Sequence, residues 1–131
     1  MENERTPEQT RSYKVRADIE KLTFGNIGAE EICNYLTSPE LEIYLKSYGK
    51  LVERTEVENT NSAIPRHFEE LLSYKNMAIH VSKIAKKMGK HGSEGLVSRL
   101  KNELLPMMVS SLGVMAYHEE DIDEILVAPR K

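Results

Sequence analysis

Two long stretches of apolar residues at spacings of three and four constrain this chain more than any other feature. The first spans residues 65–88 and the second 94–112. Phe68, Leu71, Leu72, Met77, Ala78, Val81, Ile84, Ala85 and Met88 recur at the period of a helix with 3.6 residues per turn. Leu96, Val97, Leu100, Leu104, Leu105, Met108, Val109 and Leu112 repeat the pattern in the second stretch. Gly89-Lys90-His91-Gly92-Ser93 separates them. Either glycine can adopt the left-handed backbone that ends a helix, and Ser93 is placed to cap the next one. Pro65 suits a first helical turn, where its missing N–H costs nothing. Pro106 does not fit so easily: it cannot donate to the Asn102 carbonyl, and its ring crowds that turn. The expectation is a kink or break near Pro106.

The remaining chain reads as further helices. Ser12 is placed to cap a short helix carrying Tyr13, Val15, Ile19 and Leu22, broken by Thr23-Phe24-Gly25-Asn26-Ile27-Gly28. Residues 30–36 form a brief helix with Ile32, Cys33 and Leu36. Ser38 then caps a longer one, with Pro39 in the first turn and Glu40 and Glu42 facing the positive end of its dipole. Leu41, Tyr44, Leu45, Tyr48, Leu51 and Val52 extend that stripe to about Arg54. Residues 55–63 are polar and predict a loop or a short exposed strand. Glu119-Glu120-Asp121 predicts the start of a last helix bearing Ile122, Ile125 and Leu126. The fold class expected is all-α, a single-domain bundle of four to six helices. Residues 1–11 are polar with Pro7 and predict a disordered arm, 12–127 the bundle, and 128–131 a free tail.

Size and composition narrow the class. At 131 residues one domain with its own core is the default. The single cysteine, Cys33, cannot form an intrachain disulfide and reads as a small buried hydrophobe. No basic leader precedes an apolar run, so no secretory signal is expected. The fourteen residues from Leu104 to Tyr117 carry no formal charge. A membrane span needs about 20 apolar residues, and Pro106, Ser110, Ser111 and Gly113 interrupt this run, so a buried core segment is expected. Glutamate outnumbers aspartate 18 to 3 and Gln9 is the only glutamine, a trend of hyperthermophile proteins that seven asparagines weaken.

No motif for chemistry assembles. His67, His80, His91 and His118 are scattered, without the convergence a metal needs. The acidic group at 119–124 lacks the glycine and alternating ligands of a calcium loop, and 23–28 lacks the Gly-Lys-Ser/Thr ending of a phosphate loop. No nucleophile elbow or dinucleotide fingerprint is present. The chain therefore reads as non-enzymatic, without metal or cofactor. Charge is uneven. The net value of −3 divides into +6 over residues 75–101, −5 before them and −4 after them. Lys83, Lys86, Lys87 and Lys90, with Arg99 and Lys101, are the candidate nucleic-acid-binding residues, because clustered cations gain affinity for phosphates by releasing counterions. Residues 80–105 mildly resemble a helix-turn-helix, although Val97 and Leu100 arrive about two positions late for its usual turn.

Length, the Glu-rich and Gln-poor composition, and the helix series 38–54, 65–88 and 93–112 behind a polar arm together carry one wider likeness. The whole chain resembles a small helical coat protein of an archaeal virus, in particular the abundant virion protein of the two-tailed, spindle-shaped kind. The resemblance implies a helical-bundle building block, located in the virion, that self-associates and is a candidate to contact packaged DNA. No motif fixes a residue-by-residue correspondence, so no functional residue carries over. The alternative is a cellular or viral DNA-binding module that uses the basic helix-turn-helix-like region at 80–105, and without the resemblance a cytoplasmic location is expected.

Overall fold

Apolar periodicity becomes helix almost everywhere the sequence carries it. The computed structural model describes residues 11–58 and 63–127, with side chains described for 11–53 and 64–117. The helices are α1 (Arg11–Phe24), α2 (Ala29–Leu36), α3 (Pro39–Glu58), α4 (Ala63–Gly92), α5 (Glu94–Arg99) and α6 (Leu105–Val127). A π-helical segment, Leu100–Leu104, joins α5 to α6. Arg99, Leu100 and Leu105 all keep right-handed helical dihedrals, so α5, the π segment and α6 form one rod. The described residues thus make an all-α bundle of five rods, with no strand among them.

The α6 rod is the centre. It packs mainly against α1 and α4 and also touches α3, while α2 rests on α4. Leu100, Leu105, Met108, Leu112 and Met115 are fully buried. The charge-free run from Leu104 is therefore a core segment, as its interruptions suggested, and no described helix is long and apolar enough to cross a membrane. Tyr48 of α3 links three rods. Its ring lies 5.5 Å from that of Phe68 on α4, nearly parallel to it, and its hydroxyl donates to the Met115 carbonyl on α6 at 3.2 Å. Tyr44 sits 5.8 Å from Tyr48 and meets the buried Ser12 hydroxyl at 2.6 Å. Cys33 is free and buried among these helices, as expected of a small hydrophobe.

The expected disturbance before Pro106 takes a definite form. The Leu105 N–H donates to the Leu100 carbonyl, five residues back, in place of the usual four. The widened turn accommodates the ring of Pro106 and its missing donor. It also sets the register of the core. A π turn inserts about one residue, so the residues beyond it lag by about 100°. Without that lag, Leu105 and Leu112 would turn away from the face that holds Leu100.

Several boundaries differ from the expectation, among them the start of α4 at Ala63, inside the stretch expected to be a loop. α1 begins at Arg11, so Ser12 lies inside the helix and bonds Tyr44 rather than capping. Phe24 remains helical, and only 25–28 form the break, with Gly25 donating back to Lys21 at 2.9 Å. α3 continues to Glu58, past Arg54 and into the stretch expected to be a loop. No glycine or proline interrupts 50–58, and extending a formed helix adds one hydrogen bond per residue. Finally, α6 runs unbroken to Val127, so the acids at 119–121 lie within a helix instead of opening one. The expectations for 1–10, 59–62 and 128–131 lie outside the described residues.

Caps follow chemistry in one case and depart from it in another. The Leu41 N–H donates to Ser38 Oγ at 3.3 Å, as expected for α3. Ser93 makes no side-chain capping bond; its backbone carbonyl accepts from Val97 at 2.9 Å instead. Gly89 is the residue that turns the chain, with φ 83° and ψ 176°, a region open essentially to glycine alone. A Cβ there would meet nothing within 4 Å, so Gly89→Ala should cost about 1–3 kcal/mol through backbone strain alone. Gly49 is the opposite case. A Cβ there would stand 3.5 Å from Phe68, ordinary contact, on an α-helical backbone. Gly49→Ala should stabilise by about 0.5–1 kcal/mol. Urea denaturation of the two variants beside the native protein checks both signs; a stabilised Gly89→Ala or a destabilised Gly49→Ala contradicts this reading.

Candidate functional site

Three surfaces are candidates: a groove, a basic flank and an apolar seam. The groove, about 890 Å³, lies between the α1–α2 turn and the junction of α4 with α5. Lys86, Lys90 and Lys101 line it together with Glu30, Glu31 and Glu94. Its charges balance, which suits packing of the bundle end better than an anionic polymer. Two of its groups already serve the fold. Lys101, half-buried, donates from Nζ to the Gly25 carbonyl at 2.9 Å and pins the α1–α2 turn to the π segment. Glu31 accepts from the Gly28 N–H at 3.1 Å. Backbone N–H groups of Glu31 and Gly28 hold its carboxyl below the ordinary value, with help from Lys101 and Lys90.

The six basic residues expected to act together are divided by the fold. Lys86, Lys90 and Lys101 face the groove, and Lys83 and Lys87 project elsewhere from α4. Arg99 sits on the α5 surface 3.6 Å from Glu103. Lys83, Lys86, Lys87 and Lys90 are exposed, and no carboxylate among the described residues is within ion-pairing distance of them. Outside the groove the basic flank is thus reduced to Lys83 and Lys87.

The apolar seam is what the sequence reading missed. The spacing places most apolar positions of 65–88 along one side of a helix without separating covered from exposed ones. Leu71, Ala78 and Ala85 are indeed buried, but Met77, Ile84 and Met88 are 45%, 40% and 51% exposed. These residues lie about 100° round the helix from the buried row. With half-buried Val81 they run at spacings of 4, 3 and 4, the repeat of a helix that meets another helix. Such a second row was legible as an apolar arc too wide for one core face. Other exposed apolar side chains, such as Phe24 and Ile43, stand on different helices.

Titratable chemistry is sparse. Among the described residues no three His, Cys, Asp or Glu side chains gather as a metal would require. Among these residues the one strongly perturbed group is Tyr35. Burial, then the charges of Asp18 and Glu40, raise its phenol well above its ordinary 10, and its hydroxyl donates to Asp18 at 3.3 Å. The folded protein therefore keeps this proton after the unfolded chain has released it. Stability from Tyr35 is full below pH 10 and declines as pH rises beyond it. Tyr35→Phe should flatten that alkaline decline, measured as denaturation midpoints from pH 8 to 11; an unchanged slope would contradict it. Comparison with protein-family models, curated proteins and solved structures finds no match.

Proposed function

We propose that this chain is a non-enzymatic helical building block that associates with copies of itself, with a virion coat as its setting. The exposed row Met77, Ile84 and Met88 carries this reading. Aligned apolar side chains in water on one helix mark a surface made to be covered. The virion setting draws on the resemblance in size, composition and helix series and adds nothing to the physics of the surface. Sedimentation velocity across a wide concentration range tests the reading. A mass that rises with concentration is the expected result, and a strict monomer at millimolar concentration would reject it.

A second reading, contact with duplex DNA, is favoured by the four exposed α4 lysines without carboxylate partners. Its reach is limited by the groove, where Glu30, Glu31 and Glu94 accompany Lys86 and Lys90. Titration against duplex DNA at two salt concentrations tests it. Binding that weakens with salt and is lost on charge reversal at Lys83 and Lys87 supports DNA contact; no binding at low salt rejects it.

A further inference from the structure

We infer that the occupant of the α4 seam is α4 of a second copy, laid antiparallel across a two-fold axis that crosses the seam at the level of Ile79, whose own side chain packs on the core from the opposite side of the helix. This rests on the self-association reading and goes further, by fixing the partner surface and its register. Two observations favour a second copy. The first is the spacing. An antiparallel helix pair sets the two kinds of seam position against each other. With the axis at that level, Met77 meets the partner's Val81 and half-buried Tyr74 meets the partner's Ile84. Glu70 meets the partner's Met88. Met77 and Val81 of the two copies thereby cover each other, while Ile84 and Met88 lie on the partner's Tyr74 and the aliphatic part of the partner's Glu70, the reciprocal pattern a two-fold interface requires.

The second observation is the charge along α4. Near its start Glu70 pairs with Arg66 at 3.6 Å and Glu69 is left as an exposed carboxylate, while Lys83, Lys86, Lys87 and Lys90 crowd its end, all of these lysines exposed. Parallel pairing would bring lysines against lysines. Antiparallel pairing carries the acidic end of one copy to the basic end of the other, with Glu69 and Lys87 on the same flank of the seam. Opposite charges at the rim fix the register and suppress the alternative. The same polarity disfavours an acidic or a basic foreign helix, each of which would leave one end of α4 facing like charge.

Position 80 makes the geometry measurable. His80 is exposed on the flank of the seam and lies next to the axis, so the two copies of that position approach each other. The native Cys33 is buried and does not compete for oxidation. Under mild oxidation His80→Cys should give a covalent dimer, by loss of two thiol protons and two electrons to added oxidised glutathione. Lys83→Cys, farther from the axis, should not. Ile84→Glu should weaken association about tenfold or more while leaving helicity unchanged. Lys87→Glu should weaken it and the pair Glu69→Lys with Lys87→Glu should restore it. A native protein that associates, with Ile84→Glu and His80→Cys behaving as unaltered, overturns this seam and leaves self-association standing. A native monomer at every concentration overturns both.

Discussion

Tyr48→Ala should cost about 3–5 kcal/mol, the range for deleting a large buried aromatic side chain. Tyr48 is among the fully buried side chains, and its ring and hydroxyl reach two other rods. Alanine would remove the stack on Phe68, open a cavity between α3, α4 and α6, and remove the hydroxyl's added bond to the Met115 carbonyl. Domains of this size are held by about 5–15 kcal/mol in total, so the loss is a large share. Thermal denaturation should show a midpoint lowered by roughly 10–20 °C. Tyr48→Phe separates the two contributions: it keeps the ring and removes only the hydroxyl, for about 1 kcal/mol. If Tyr48→Ala costs no more than Tyr48→Phe, the ring is not the link described.

Deletion of Ser110 should abolish the fold. Ser110 is exposed, so no contact of its own explains such a result. The effect comes from register. Removing one residue rotates everything beyond it by about 100° relative to everything before. Leu112, Met115 and Ala116 would leave the core, each large side chain carrying about 2–5 kcal/mol. The rod tolerates a deletion at one place only by the same logic. Asn102 is also exposed, and it lies in the π segment, where one residue is already in excess. Deleting Asn102 with Pro106→Ala should relax the π turn to regular α-helix and leave Leu100 and Leu105 on one face. Circular dichroism and urea titration of the two deletions decide it: equal damage from both would mean that the π turn does not set the register.

The helices themselves were legible at a distance. The apolar repeats at 65–88 and 94–112, the Ser38-Pro39 start and the charge-free run from Leu104 each became what their local chemistry indicates. Ends were less legible. Polar residues at 55–58 and acids at 119–121 are compatible with a helix surface as well as with a loop or a helix start, and a formed helix extends through such residues unless glycine or proline stops it. The surface was least legible. Met77, Ile84 and Met88 are indistinguishable in type and local spacing from Leu71, Ala78 and Ala85. Likewise Lys101 resembles Lys87 in sequence, yet one pins the Gly25 carbonyl and the other projects into water.

By itself the sequence determined that this chain is helical, where its main breaks fall and that Pro106 would disturb the turn before it. Those outcomes depend on residues within one or two turns of each other. The tertiary structure alone decided which of two apolar rows on α4 is covered and which lysines remain without partners, because burial depends on what another helix occupies. It also decided that the disturbance at Pro106 is a π turn, because only the packing of the whole rod makes a rotation of one residue worth keeping.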